Sequence, residues 1–595
     1  MKKRNSKDRR FELDWLRVMA ILIVFLYHST RFFNLEDWHV KNADVYVSVE
    51  IWNVFVTRWM MPLFFMISGA SLFYAVGKSG GWKRFYTDKL LRLFVPVLFT
   101  SVTHGALQVY LERVSHGRFA GSFLDYLPTC FSGIYTGIGL AVSGNFANVG
   151  MHLWYLLFLF VYSLICYRLF VWLKAGGHKV LAGLTNLLAV PGTILIGFTI
   201  PLALMKTLIP PAFLEVGNGG WGFLYYLWFL IAGFLVVSNE RLIQSIHTQR
   251  WFFFILGVAL SVCHLYLLFG VAYPALQGKG GDWIAALLSY FSAWCWVLAI
   301  LGFAIGHLSF EHPFLRQANE GVLPFFILHQ TVLLFFGYFI MSWEIYTVLK
   351  WLLVFTFSFV VIVAVYVVLI QNFDVLRFLF GMKTSHPFYQ VFQKKTALIL
   401  LPLIWLGLST YAGLNQKMVL GQERFPMSLE FDRGHDLVFN TDSITGQSTT
   451  GVKVVEDQEA SIGSAFELVS GGSQSIAAEP NVYVDIQFLA PAGRYFVWIR
   501  GKSDVDSELT DSVWLQVDNQ VGTRKGSVHL GNWNTFHPVG VYAWGSDVHI
   551  PYIVLLKHNG THIIRIQPRQ IPHRIDQIWL SRTQYRIPNT SRPIR

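Results

Sequence analysis

Charge is scarce in this chain. Lys, Arg, Asp and Glu make up 14% of its 595 residues, against roughly 25% in soluble domains. Beside 54% hydrophobic residues and a mean hydropathy of +0.45, that scarcity excludes an ordinary soluble protein. Cysteine is rarer still. The four present, Cys130, Cys166, Cys263 and Cys295, lie in the apolar part with no pairing pattern, so no disulfide framework is expected. HExxH, clustered Cys/His and a Gly-rich phosphate loop are missing, which leaves a metal or nucleotide mechanism in the apolar part without support. No basic-aromatic nucleic-acid module accompanies the formal net charge of +12. A nucleic-acid partner is therefore not expected, and Lys and Arg report membrane topology instead. The cationic start MKKRNSKDRR has no small-residue cleavage site behind it, so the first apolar run reads as a retained helix.

What the chain does have is apolar runs of span length, about 20 residues each. They fall near 14–34, 51–76, 90–111, 151–173, 181–205, 221–238, 251–273, 283–308, 321–342, 350–370 and 396–414. An odd number of spans puts the termini on opposite sides. With the N-terminus inside, the inner segments hold most of the Lys and Arg, among them Lys78, Lys83, Arg84, Lys89, Arg92, Lys174, Lys179, Arg241, Arg250, Lys394 and Lys395. The expected order is a basic cytoplasmic N-terminus (1–10), a transmembrane domain (11–370), a cytoplasmic connector (371–395), one more span (396–414) and an extracytoplasmic domain (421–595), in a multi-pass protein of the cytoplasmic, inner membrane. From Gly421 onward no run is long enough to span. Short alternating stretches appear instead, at Tyr483–Phe488, Tyr495–Ile499, Val513–Val517 and His562–Ile566, separated by turns rich in Gly, Asn, Asp and Pro. The expected fold is a polytopic α-helical membrane protein followed by an all-β sandwich.

The first run is unusual for what it carries inside it: Asp14, Arg17 and His28. A central Arg or Asp costs about 2.5–3.5 kcal/mol to insert, so ionisable residues within a span point to function by default. At about 100° per residue, the eleven-residue step from Arg17 to His28 returns to within ~20° of one face, about 16 Å along the axis. Asp14 lies one turn before Arg17 on that face. Spacing alone also fits Asp14 and Arg17 as interfacial anchors and His28 as a satisfied bundle histidine.

The segment FELDWLRVMAILIVFLYHST resembles the opening of the acyltransferase 3 family of integral membrane proteins, whose signature is an arginine and a histidine separated by ten residues. Four further segments agree in order: MPLFFMISGASLF (61–73), DKLLRLFVP (88–96), MHLWYL (151–156) and LPFFILHQ (323–330). The match covers roughly residues 11 to 370. Where the family usually has two arginines three apart, this chain has Lys89 and Arg92; lysine keeps the charge but loses the bidentate fork. The resemblance implies transfer of an acyl group, commonly acetyl from cytoplasmic acetyl-CoA, to a hydroxyl of a cell-surface polysaccharide or other glycan. His28 suits the base, since its unperturbed pKa lies near neutrality. Asp14 suits the orientation of Arg17. Arg17, Lys89 and Arg92 suit the anionic coenzyme at the cytoplasmic face, while Lys83 and Arg84 read as positive-inside anchors. Ser68 and Gly69 read as close helix packing. Trp154 and Tyr155 belong either to an interfacial belt or beside the acceptor sugar or the pantetheine arm. His152 and His329 are secondary polar groups or satisfied buried histidines. The competing class is a transporter or a glycan-binding sensor without chemistry, although no inverted repeat of broken helices is evident.

The C-terminal part, from SLEFD (428–432) through AGRYFVWIRG (492–501) and VWLQVDN (513–519) to GTHIIRIQP and IDQIWLS (560–581), is similar to galactose-binding-like β-sandwiches among carbohydrate-binding modules. That resemblance implies a structural calcium held by acidic residues, with Glu430, Asp432 and Asp576 as its ligands; carboxylates hydrogen-bonded at strand ends are the alternative. Trp533, Tyr542 and Trp544 are placed to stack on sugar rings. No nucleophile-base set occurs there, so the domain is expected to bind or position glycan.

Overall fold

The computed structural model describes residues 10–581 apart from 35–37, 43–45, 78–80, 116–118, 120, 137–143, 210–221, 270–278, 344, 385–387, 416–436, 474–475, 491–492, 503–511, 519–525, 530–536, 541, 544–552, 557–559 and 570. An N-terminal helical region is followed by antiparallel β structure. The helices are α1 (Phe11–Thr30), α2 (Val47–Ala75), α3 (Trp82–Val102), α4 (His104–Ser115), α5 (Met151–Lys174), α6 (His178–Leu188), α7 (Thr193–Leu208), α8 (Phe223–Val236), α9 (Glu240–Thr248), α10 (Arg250–Phe269), α11 (Lys279–His307), α12 (Pro313–Ile340), α13 (Thr347–Ile370) and α14 (Lys395–Leu414). Every expected span overlaps helix among the described residues, although 90–111 breaks at Thr103, where α3 and α4 meet at 43°. Among the described residues, seven helices are long and apolar enough to cross a membrane, or ten if each of three bent pairs counts as one span.

The other two bent pairs correct the sequence reading further. The run 181–205 is not one straight helix: α6 and α7 meet at 111°. Pro191 cannot continue the hydrogen-bond ladder and restrains the residue before it, and Gly192 turns the chain with φ +83°. Likewise 221–238 ends early. Its helix α8 has 14 residues, about 21 Å, short of a ~30 Å hydrocarbon core. Asn239 then caps α9, accepting from Arg241 N at 2.9 Å, and the chain turns by 106°.

Short α8 is nevertheless at the centre of the bundle, because glycine lets it approach α2 backbone to backbone. A Cβ on Gly69 would lie 1.8 Å from Leu230 O, and one on Gly233 would lie 1.9 Å from Met66 O. The two positions are reciprocal, so the reading of Gly69 as a close-packing residue holds. Gly69→Ala is expected to force the helices apart, at about 1–3 kcal/mol for overpacking, and to lower the thermal inactivation temperature in detergent. An unshifted melting curve would contradict the contact.

The β region forms two antiparallel sheets. Its strands are β1 (Leu437–Phe439), β2 (Gly446–Gln447), β3 (Val452–Glu456), β4 (Ser464–Leu468), β5 (Val484–Ala490), β6 (Gly493–Lys502), β7 (Ser512–Val517), β8 (Gly526–His529), β9 (His537–Gly540), β10 (Tyr542–Ala543), β11 (Ile553–Leu556), β12 (Gly560–Pro568) and β13 (His573–Ser581). One sheet runs β11-β6-β13-β4-β3, with β1 on β13 and β9 on β6; the other runs β10-β8-β7-β12-β5-β2. The four alternating stretches seen in the sequence fall in β5, β6, β7 and β12. Alternation does the sorting: in β5, Val484, Ile486, Phe488 and Ala490 point into the core. That core is apolar and packs Phe466, Leu515, Ile564 and Ile578 with them. Asp457 is bonded to Lys502 at 2.6 Å and to Arg574 at 3.3 Å; burial opposes its charge, but these cations hold its carboxyl below the usual range.

Candidate active site

The site is built on the polar stripe of α1. Asp14 Oδ1 accepts from Arg17 Nη1 at 2.8 Å and from Asn319 Nδ2 of α12 at 3.1 Å. The second guanidinium nitrogen, Nη2, donates to Ser71 of α2. Arg17 is thus clamped between its own helix and α2, yet 29% of its side chain stays exposed. A fixed, accessible cation of this kind suits an anion with several oxygens.

His28 ends the stripe, and its neighbours settle which nitrogen carries the proton. His329 Nδ1 donates to Phe326 O at 2.6 Å, which leaves His329 Nε2 as an acceptor in the neutral ring. That nitrogen lies 3.2 Å from His28 Nδ1, and Val24 O lies 3.0 Å from the same atom. Two acceptors require a donor, so Nδ1 holds the His28 proton. Its Nε2 therefore carries a lone pair, with no hydrogen bond among the described residues. His152 completes the group, donating from Nε2 to Phe326 O at 2.9 Å, with its ring 4.7 Å from that of His329. Two imidazoles, from α5 and α12, thus share one carbonyl, the α1 imidazole bonds the one from α12, and Nε2 of His28 keeps its lone pair. The sequence placed His28 and Arg17 on one face; the structure adds that His329 and His152, weighed as secondary groups, orient His28 directly or through that carbonyl.

A second polar network was not legible. His39 Nδ1 donates to Glu112 Oε2 at 2.5 Å, and Tyr135 OH donates to the same oxygen at 2.7 Å. Gln330, next to His329, donates to His39 Nε2 and to Gln108 Oε1, each at 3.1 Å; Gln108 in turn donates to Thr331 at 2.6 Å. All of these side chains are buried. Only Gln330 carried a sequence signal, as the end of the LPFFILHQ segment. His39 and Tyr135 lie on connections without periodicity, and Glu112 sits in an amphipathic helix where an acid usually faces water.

The other expected residues divide. Lys89 precedes, and Arg92 lies within, a π-helical turn, Leu90–Phe94, inside α3. Arg92 Nε donates to Gly381 O at 3.3 Å; Lys89 lies over the Phe85 ring, 3.7 Å from Asp88. Both remain half-buried, whereas Lys83 and Arg84 are exposed, in keeping with anchoring. Trp154 packs with Phe65, Phe158 and Tyr226 in an aromatic cluster. Tyr155 bonds Ser68 and packs on Phe326. Asp576 of β13 is bonded to Arg500 of β6 and to Ser461 Oγ and N, so its oxygens are already taken by hydrogen-bond donors. Glu430, Asp432, Trp533 and Trp544 lie outside the described residues, as does the Tyr542 side chain. Among the described residues, no three His, Cys, Asp or Glu side chains are grouped to hold a metal. The four cysteines are free thiols.

The model of the Acyltransferase domain family (Acyl_transf_3) matches residues 10–370. Glucans biosynthesis protein C of Escherichia coli strain SMS-3-5 / SECEC is 22% identical over 353 residues, covering 56% of this chain and 84% of that protein. The protein of the same name in strain K12 / DH10B matches to the same extent. Among solved structures, the GH26-CBM35 β-(1,4)-mannanase of Podospora anserina overlays 25% of this chain and 27% of its own, at 15% identity and a TM-score of 0.18, too loosely to carry an argument.

Proposed function

Since this multi-pass membrane chain belongs to the Acyltransferase domain family, we propose that it moves an acyl group, acetyl in the simplest case, from cytoplasmic acyl-CoA to a hydroxyl of an extracytoplasmic surface glycan. The observation that carries this reading is Nε2 of His28, which makes no hydrogen bond among the described residues, keeps its lone pair because Nδ1 donates to His329, and lies on the same helix face as the clamped Arg17. A sugar hydroxyl attacking a thioester needs a base of that kind, and the coenzyme phosphates need a cation at the donor mouth. The excess of Lys and Arg in the inner segments supports a cytoplasmic N-terminus and an outer β domain in the inner membrane. The name of the Escherichia coli relative, Glucans biosynthesis protein C, supports a glucan-like polysaccharide as acceptor. The β domain then serves to hold that polymer near the membrane.

Purified protein in lipid nanodiscs tests this: acyl-CoA supplied with glucan oligosaccharide should yield an O-acylated product by mass spectrometry, and free coenzyme A. No consumption of acetyl-CoA or longer acyl-CoA by folded protein would overturn it. Donor recognition is tested separately by calorimetry. Arg17→Ala and Arg92→Ala are each expected to weaken coenzyme A binding about 10- to 100-fold, the scale of a lost charged hydrogen bond (1.5–3 kcal/mol). Lys83→Ala, at an exposed anchor, should change it little. Equal losses at all three positions would indicate membrane electrostatics instead of a site.

A further inference from the structure

Ser68 of α2 and Tyr155 of α5 are bonded oxygen to oxygen at 2.6 Å. Tyr155 is buried, and Ser68 is half-buried in a part of α2 where Pro62, Leu63, Phe64, Phe65, Met66 and Ile67 are all buried. Each hydroxyl has one proton, and the bond between them uses one of the two. Neither group makes another hydrogen bond among the described residues. Whichever of them donates to the other, one O–H is left over within the apolar bundle. Leaving such a donor unmet costs about 1–3 kcal/mol, so its natural complement is an acceptor atom that arrives with a ligand.

The surroundings identify that atom. One turn along α2, Ser71 accepts from Arg17. On the other side, the Tyr155 ring packs edge-on against Phe326 at 5.7 Å. Phe326 O is the carbonyl that holds His329 and His152, and His329 holds His28. The leftover donor thus stands in the chain of contacts that joins the phosphate-binding cation to the base. On the acyl-CoA reading above, on which this inference rests, a donor molecule with its phosphates at Arg17 runs along this line, with its thioester near the imidazoles.

We propose that the Ser68–Tyr155 pair donates the hydrogen bond that stabilises the oxyanion of acyl transfer. As the acceptor hydroxyl oxygen bonds to the thioester carbon, His28 Nε2 takes the hydroxyl proton and the carbonyl electron pair moves onto oxygen. The leftover O–H of the pair meets that negative charge. Collapse re-forms the carbonyl, breaks the carbon–sulfur bond and returns the proton from His28 to the leaving thiolate, giving ester and free coenzyme A. A donor aimed at developing charge acts on the rate more than on binding.

The test is a double variant, Ser68→Ala with Tyr155→Phe, beside the two single variants, assayed for glycan acylation in nanodiscs. Loss of an oxyanion donor costs about 100- to 1,000-fold in kcat. The double variant should show that loss with the KM for acyl-CoA and the affinity for coenzyme A unchanged. Tyr155→Phe alone should lose less, because the freed Ser68 hydroxyl still donates, and it keeps the ring contacts if the double variant folds poorly. A raised KM with normal kcat would assign the pair to binding the pantetheine arm and overturn the proposal. So would full activity of the double variant. Failure of the unmodified protein to use acyl-CoA would instead overturn the parent reading, and this one with it.

Discussion

A His28→Ala protein is expected to insert, to bind coenzyme A as tightly as the unmodified chain, and to lose glycan acylation by about 100- to 10,000-fold, the range contributed by a positioned general base. The expectation follows from where the proton sits. His329 spends its own N–H on Phe326 O, so it accepts from His28 Nδ1 and leaves Nε2 of His28 unprotonated toward the site. Replacing His28 removes the base while Arg17, eleven residues back, keeps Asp14 and Ser71. Donor binding and chemistry should therefore separate in one variant. The check is coenzyme A affinity and acylation rate on the same nanodisc preparation. Near-normal transfer by well-inserted His28→Ala would remove it from the catalytic role, and equal loss of binding and rate would point to collapse of the histidine cluster.

The parts of this site that were legible in the sequence are those that share one helix. Asp14, Arg17 and His28 appear together because helical periodicity places them on one face, and their cost in an apolar run marks them out. Gly69 was legible for a similar reason: a small residue inside a span has few uses besides close approach. Partners from distant segments leave no such trace. Nothing in the spacing of His39, Glu112 and Tyr135 indicates that two connections bring a histidine and a tyrosine to one helical carboxylate. Asp576 shows the same limit in the β domain, where an acid on a late strand resembles a metal ligand until Arg500 is found on the neighbouring strand. The straight span expected at 181–205 failed differently. Averaging hydropathy over the whole run hid the local geometry of Pro191 and Gly192, which decides where the helix stops.

Ending the chain after Gln416 is expected to divide two activities that the full protein performs together. All helices from α1 to α14 and every residue of the histidine cluster remain in such a protein, so it should insert and still release coenzyme A from acyl-CoA. Acylation of long polymer should fall by about 100-fold or more, the gain that a tethered second binding site supplies through effective concentration. Acylation of a short oligosaccharide at saturating concentration should fall far less, because a small acceptor gains little from being held elsewhere on the protein. The β domain has an apolar core and two antiparallel sheets of its own, so residues 421–595 are expected to fold as a soluble protein and to retain polymer on a glucan affinity gel without transferring acyl groups. The decisive comparison is donor hydrolysis against polymer acylation in the shortened protein. Loss of both, with insertion verified, would place the β domain within the active site and end the division of labour between the two parts.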